Sequence, residues 1–420
     1  MTFQKSDTTN WKKTFFPFWI GQAFSLFGSM LVQFALVWWL TKKTGSATIL
    51  ATATAFAILP EIFVSPFAGA IVDRFNRKTL IIISDAAIAI ATVILAILFY
   101  FNMVEIWHVF LMMFLRAVGG AFHYPAEQSS ISLMVPEKHL AKIAGLNQAL
   151  RGAINIIAPP LGALLLDTIN VQGTLSIDFI TAVMAIAIIL FIKIPQPEQK
   201  NNQESISFKM LIADIKGGLI YILKWKGLVS LILLAMIIKF ALSPAFSLIP
   251  LLVNKHFLGD AIQYGLVESV SGIGFVIGGI LLSVWGGFKK KIHTIWLGII
   301  LIGFSFLWIS ALRTNQFSFL IPAIFMLGFM IPMVDGSFMA ILQSKVAPEF
   351  QGRVLSMTGS LLWLTTPLGL GFAGPVSDRM GIQIWYLLAG LLCVLASFSI
   401  FFLPVLKNIE ENNNHSVPVI

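Results

Sequence analysis

A helix that crosses the roughly 30 Å hydrocarbon core of a bilayer needs about 20 consecutive apolar residues. Twelve runs in this chain meet that length. They fall at about 15–40, 47–72, 79–101, 106–126, 143–166 and 173–194, then at 228–252, 263–286, 292–312, 316–341, 355–376 and 382–406. Such a chain cannot cover itself as a water-soluble globule. Of its 420 residues 57% are hydrophobic and only 11% are charged, against about 25% charged in soluble domains. The same runs exclude a disordered chain. The first run is longer than the apolar core of a signal peptide, and no small-residue cleavage site follows it, so it reads as a span. These features predict an all-α membrane protein with twelve transmembrane helices.

One long polar segment, 195–227, separates six spans from six. It begins PQPEQKNNQES and carries Lys200, Lys209, Lys216, Lys224 and Lys226. Its first part reads as a flexible linker. The stretch 206–223 has helix-like apolar spacing suited to a membrane surface. The expected organisation is a six-helix bundle over 1–194, a cytoplasmic linker over 195–227, a second bundle over 228–406 and a cytoplasmic tail over 407–420.

The net charge of +9 would suggest nucleic acid in a soluble protein. Here its placement argues otherwise. With the N-terminus inside, twenty of the 28 basic residues lie in segments on the inner face and five on the outer. Lys289, Lys290 and Lys291 form the densest inner group. Basic excess on one face is an orientation signal, and it places both termini in the cytoplasm.

The chain also repeats itself. Segment 2 ends FAGAIVDR at 67–74, and segment 11 ends FAGPVSDR at 372–379. Weaker copies stand in segment 5 (PLGALLLD, 160–167) and segment 8 (GGILLSVWGG, 278–287). Segments 2 and 8 end inside by this topology, while 5 and 11 end outside. Inverted three-helix repeats nested in two six-helix halves give that pattern.

Gly69-Ala-Ile-Val-Asp73-Arg74-Phe-Asn76-Arg77-Lys78, between segments 2 and 3, resembles the signature loop of the major facilitator superfamily, G-x-x-x-D-R-x-G-R-K. Asn76 replaces the second glycine, and asparagine tolerates a left-handed backbone better than other non-glycine residues. Arg116-Ala-Val-Gly119-Gly120 is similar to the family's R-x-x-x-G element, and Ala158-Pro159-Pro160-Leu161-Gly162-Ala163 is a degraded form of its antiporter motif. The stretches Gly21–Leu26, Leu40–Ala47 and Ala121–Ala126 resemble bacterial macrolide efflux proteins, in the drug:proton antiporter branch. The resemblance implies the major facilitator fold and proton-coupled export of amphiphilic drugs by alternating access. It also implies a cytoplasmic latch of Gly69, Asp73, Arg74, Arg77, Lys78 and Glu127. In that latch Asp73 meets the start of segment 11, where a helix dipole favours negative charge, and Arg77 pairs with Glu127. The alternative is that Arg74, Arg77 and Lys78 only orient the chain.

Charge inside hydrocarbon is costly, so it faces a partner or a water-filled cavity. The expected proton-coupling or cavity residues are Glu61, Asp178, Glu268 and Asp335, with the bases Arg116, Arg151 and Lys239. A carboxylate in an apolar site binds protons more tightly and attracts cationic drugs. Structural ion pairing between helices is the competing reading for each. Asp85, close to the inner face, reads as structural. Gln22 and Gln33 serve either the cavity or helix packing. His123 has no metal-ligand partner at useful spacing and reads as a helix-end residue able to titrate.

No metal or other cofactor is expected. The single cysteine, Cys393, excludes a disulfide framework and a cysteine metal cluster. Gly272, Gly274, Gly278 and Gly279 lack the Lys-Ser/Thr of a phosphate loop and suit close helix packing. An embedded enzyme would need a catalytic cluster, and a channel a continuous polar stripe; the intramembrane acids are scattered singly instead. The expected partners are a small amphiphilic substrate, protons and the lipid bilayer, with no nucleic acid. The expected form is a monomer in the bacterial inner membrane. Export of a siderophore or another amphiphilic metabolite is the alternative function.

Overall fold

The computed structural model describes residues 11–72, 75–196, 217 and 219–411. Among these, long helices follow one another almost without interruption. We number them α1 (Trp11–Thr44), α2 (Ala47–Val72), α3 (Arg77–Tyr100), α4 (Ile106–Met134), α5 (137–169) and α6 (171–191). The second series is α7 (Lys226–Ser247), α8 (Ala261–Trp285), α9 (Lys291–Ala311), α10 (Leu320–Lys345), α11 (Pro348–Met380) and α12 (Ile382–Phe402). Each expected span falls within or overlaps one of these helices. Most of the 206–223 stretch, and the tail beyond 411, lie outside the described residues.

Among the described residues, ten helical stretches are long and apolar enough to cross a membrane. One of them, 137–191, is the pair α5 and α6, joined at Asn170, whose φ of 59° breaks the helical path. Asparagine enters this left-handed region more readily than most residues. The helix outside the ten is α11, whose ends carry charged residues and whose middle holds Pro367 and Pro375. Apolar side chains surround most of these helices, as expected of membrane spans.

The connections carry their own stop and start signals. Asn76 caps α3 by accepting from the Thr79 N–H at 3.2 Å. At α4 the Glu105 N–H donates to His108 Nδ1 at 2.9 Å. Asp260 and Gln263 cap α8 reciprocally, at 2.9 and 3.2 Å, the geometry of a capping box.

The helices group into two compact units. The first comprises Met1–Gly45, Thr52–Asn201 and Asp260–Ser269. The second comprises Ser46–Ala51, Asn202–Gly259 and Val270–Ile420. In the first, α1 packs along α5 and α6, and α3 packs against α4 and α6. Phe15, Phe18, Ile81, Ile131 and Ile189 form a fully covered apolar cluster there. In the second, α7 packs on α11 and α12, and α9 on α10 and α12. The Tyr386 hydroxyl fastens α12 to the Ala245 carbonyl at 2.7 Å. Gly274 and Gly278 of α8 lie directly against the α10 backbone at Phe325 and Phe329. A side chain at either glycine would hold the two backbones apart, which is how small residues serve membrane helix pairs.

Candidate functional site

In the first unit α1 to α5 line an open-sided cavity of about 430 Å³, α2 through Ala57 alone. That lies within the range of small-molecule sites. Helix periodicity explains its wall. Arg116, Gly120, His123 and Glu127 recur at three- and four-residue spacing on α4 and so share one face. Gln22, Ser25, Ser29 and Gln33 of α1, Asp85 of α3, and Asn147 and Arg151 of α5 add polar groups to the lining. The Trp19 indole donates to Asn147 Oδ1 at 2.5 Å across the α1–α5 seam.

Three charge pairs sit on or behind this wall. Arg116 Nη1 meets Asp178 Oδ2 at 2.7 Å, and Asp178 is 1% exposed. Thr92 donates to the same oxygen at 2.9 Å and Ser29 to the other at 3.3 Å; Arg116 also bonds the Thr92 hydroxyl. Asp178 is therefore fully engaged by groups from α1, α3 and α4. His123 Nε2 lies 3.2 Å from Asp85 Oδ1, off hydrogen-bond geometry, and the Gln22 amide donates to Asp85 Oδ2 at 3.5 Å. Arg151 stands 3.7 Å from Glu127 and lies over the Tyr124 ring at 5.3 Å. Among the described residues the buried Oε1 of Gln22 has no hydrogen-bond partner.

The remaining expected residues are elsewhere. Glu61 is exposed on α2. Glu268, on α8, is half-buried and hydrogen-bonded to Tyr264, whose ring stacks on Phe34 and Trp38. In the second unit Lys239 of α7 faces Asp335 of α10 at 3.7 Å, with Asp335 half-exposed. Arg116 and Arg151 thus share the cavity wall, while Lys239 and Asp335 form a separate pair. Of the latch residues, Asp73 and Arg74 lie outside the described residues, and Gly69 is in α2. Lys78 donates to the carbonyls of Leu190 and Ile192, both at 2.9 Å. Arg77 is buried and its guanidinium donates to the Ser129 carbonyl at 2.9 Å, while Glu127 meets Arg151.

Asp378, at the end of α11, was not among the expected residues. It accepts from Ser46 Oγ at 2.8 Å and from the Ala47 and Thr48 N–H groups at 2.7 and 3.0 Å. These are the first N–H groups of α2, so the carboxylate sits at the positive end of a helix dipole. Partial burial pushes its pKa up, but the hydrogen bonds from Thr48, Ser46 and Ala47 outweigh that and hold it below the ordinary carboxylate value. The signal for it was present in the repeat, because Asp378 is the acid of FAGPVSDR as Asp73 is of FAGAIVDR. His123 and Asp85, read from the sequence as a titratable helix-end residue and a structural acid, meet on the cavity wall; His123 shares its helix face with Glu127 four residues on.

A series of membrane-spanning helices with a charged cavity among those of the first unit is the architecture of a multi-pass membrane protein, and the family match and efflux relatives make it a transporter rather than an enzyme. The family model of the Major Facilitator Superfamily matches residues 18–370, and the chain belongs to that family. It is 33% identical over 385 residues to macrolide efflux protein A of Streptococcus pyogenes, covering 92% of this chain and 94% of the relative. It is 25% identical to the multidrug efflux pump Tap of Mycolicibacterium fortuitum, covering 91% and 94%. Among solved structures, a POT family transporter in complex with 5-aminolevulinic acid superposes with a TM-score of 0.72 at 12% identity, covering 92% and 95%. The nucleoside transporter NupG superposes at 0.67 and 13% identity, covering 91% and 98%. These two structures speak to the fold alone.

Proposed function

We propose that this chain exports amphiphilic drugs, macrolides foremost, in exchange for protons, by alternating access. The observation that carries the reading is the cavity of the first unit, with acids and bases held inside a spanning bundle. Such charge is expensive to keep there, and exchange of a proton for a substrate is a use for it. The names of the relatives support a drug as cargo. Macrolides combine an amine with a broad apolar ring, and the cavity offers both acids and the apolar faces of Met30, Ile88 and Met113.

Within this reading Glu61, Asp178, Glu268 and Asp335, with Arg116, Arg151 and Lys239, are the charges that set proton affinity along the path. Asp73, with Gly69, Arg74, Arg77, Lys78 and Glu127, forms the inner latch, and both termini face the cytoplasm of a bacterial cell. The protein works as a monomer. The test is a panel in a drug-sensitive bacterial host, measuring accumulation of macrolides, cationic dyes and siderophores with and without a proton-collapsing agent. Lowered macrolide accumulation that the agent restores is the expected result. Lowered siderophore accumulation alone would move the assignment to metabolite export, and unchanged accumulation of every compound would overturn it.

A further inference from the structure

Counting the charges around the cavity gives an odd number. The acids are Asp85, Glu127 and Asp178, and the permanent bases are Arg116 and Arg151. Asp178 is matched by Arg116, and Glu127 by Arg151. Asp85 has only His123 and the neutral Gln22. With His123 protonated the set is neutral. With His123 neutral it carries one uncompensated negative charge, on Asp85, which is 3% exposed.

We infer that Asp85, His123 and Gln22 form an exchange site in which a proton on His123 and an organic cation replace one another. The inference rests on the proton-coupled export reading and names the groups that perform the exchange. Every charged or titratable side chain on the cavity wall enters the count. Those of α3 and α4 are Asp85, Arg116, His123, Tyr124 and Glu127, and that of α5 is Arg151. The portions of α1 and α2 that reach the wall contribute only uncharged residues. An imidazole is the side chain whose ordinary affinity for protons falls in the physiological range. Its proton leaves to water in the cavity, and the positive charge lost from the ring is restored by the entering cation, so charge is conserved.

Gln22 gives an independent indication of the ligand. Its amide nitrogen is committed to Asp85, and among the described residues its buried Oε1 has no partner, while the residue itself lines the cavity. Leaving such an atom unsatisfied is unfavourable unless a donor arrives. A cation bearing N–H groups supplies both the donor for Gln22 and the charge for Asp85. The site therefore selects an amine-bearing amphiphile over a neutral one. Negative charge without donors finds no use for the vacant acceptor and meets Asp85 as a like charge.

Ethidium is a suitable probe, because its charge is permanent and it carries amino N–H groups. Binding to the full chain, purified in detergent in sodium-free buffer, would be followed by fluorescence between about pH 5 and 8. Wild-type affinity should fall by up to about tenfold per pH unit on the acid side, with proton release on binding, since the two linkages are reciprocal. His123→Gln should bind with a flat pH profile and no proton release. His123→Arg should bind about tenfold or more weakly at every pH, because its charge cannot leave. The two substitutions act in opposite directions, so loss of folding cannot produce both outcomes; gel filtration confirms that each variant is monodisperse. Failure of wild-type protein to bind ethidium would overturn the ligand class. Proton release that persists in His123→Gln would overturn the site. In vesicles, erythromycin-driven proton movement that is normal in His123→Gln would remove His123 while leaving proton-coupled export intact. Its absence from wild-type vesicles would instead overturn the export reading.

Discussion

The Arg116–Asp178 pair allows the sharpest energetic test. Asp178 is 1% exposed and accepts from Arg116 at 2.7 Å, Thr92 at 2.9 Å and Ser29 at 3.3 Å. Asp178→Asn keeps the shape and an acceptor for one hydroxyl, yet leaves the guanidinium without a counter-charge. Removing one member of a buried pair costs about 3–5 kcal/mol. Replacing both members by apolar residues of similar volume, Arg116→Met with Asp178→Leu, removes the stranded charge and should cost much less than either single change. The hydroxyls of Thr92 and Ser29 can then turn to their own helices; for Thr92 the Ile88 carbonyl lies 3.0 Å away as the alternative acceptor. The assay is reversible unfolding in mixed detergent micelles, giving ΔG for wild type, Asp178→Asn, Arg116→Met, Asp178→Leu and the Arg116→Met/Asp178→Leu double variant. The expected coupling energy is at least about 3 kcal/mol, because two single losses of about 3–5 kcal/mol each give way to one much smaller loss. A cost for Asp178→Asn below about 1 kcal/mol would refute the reasoning, since an exposed pair is worth no more than that. So would additivity in the double variant, because the two residues would then not stabilise each other.

Other outcomes follow from features at a distance from that pair. Asp378→Ala removes a carboxylate cap from α2 and should destabilise the protein by about 0.5–2 kcal/mol, measured by the same unfolding assay. Because the pKa of Asp378 is depressed on folding, its contribution is fully present above the ordinary aspartate value of about 3.9 and is lost as pH falls through the lower folded value. The stability difference between wild type and Asp378→Ala should therefore be constant at neutral pH and shrink only in strong acid. Gly278→Ala drives a methyl group onto the Phe329 carbonyl and should cost about 1–3 kcal/mol by overpacking; a neutral result would mean that α8 and α10 can separate freely. Asp335→Asn touches a half-exposed pair and should cost at most about 1 kcal/mol. A transport defect in that variant, seen by substrate accumulation with normal protein levels, reports on mechanism rather than on folding.

The spans were legible because a bilayer imposes a length on them, and length survives in a single sequence. Even α11, with its charged ends and two prolines, was visible as a run from 355 to 376. The joint at Asn170 was legible only as a break between two runs; that a single residue with positive φ makes the whole turn depends on local geometry that hydropathy does not encode. The candidate site was less readable. Depth along a span could be estimated, so Arg116, Arg151 and Asp178 were singled out, but direction around a helix could not. Glu61 stands near the middle of its run and is exposed on α2, an orientation that hydropathy alone does not encode. Asp85 and His123 stand on different helices, and nothing local to either announces the other. The pairing of Glu127 with Arg151 likewise depends on how α4 and α5 are rotated against each other, which is decided by packing such as that of Trp19 on Asn147.

The one-residue connection between α5 and α6 has a mechanical consequence. A peptide unit is stiff, and each residue adds only two soft torsions. Two helices joined through Asn170 cannot slide past one another; they can only hinge there or travel together as one hairpin. Arg151 rides on α5 and Asp178 on α6, so the two are fixed to the arms of the same hinge. If the hairpin moves as a body, drawing Arg151 away from Glu127 also pulls Asp178 against Arg116. If it bends at Asn170, the Asp178 arm stays anchored and only the Arg151 arm swings. Altering that single residue, for instance with a proline, whose φ near −65° cannot reproduce the 59° found there, would therefore act on the charges of the cavity wall from a position that touches none of them.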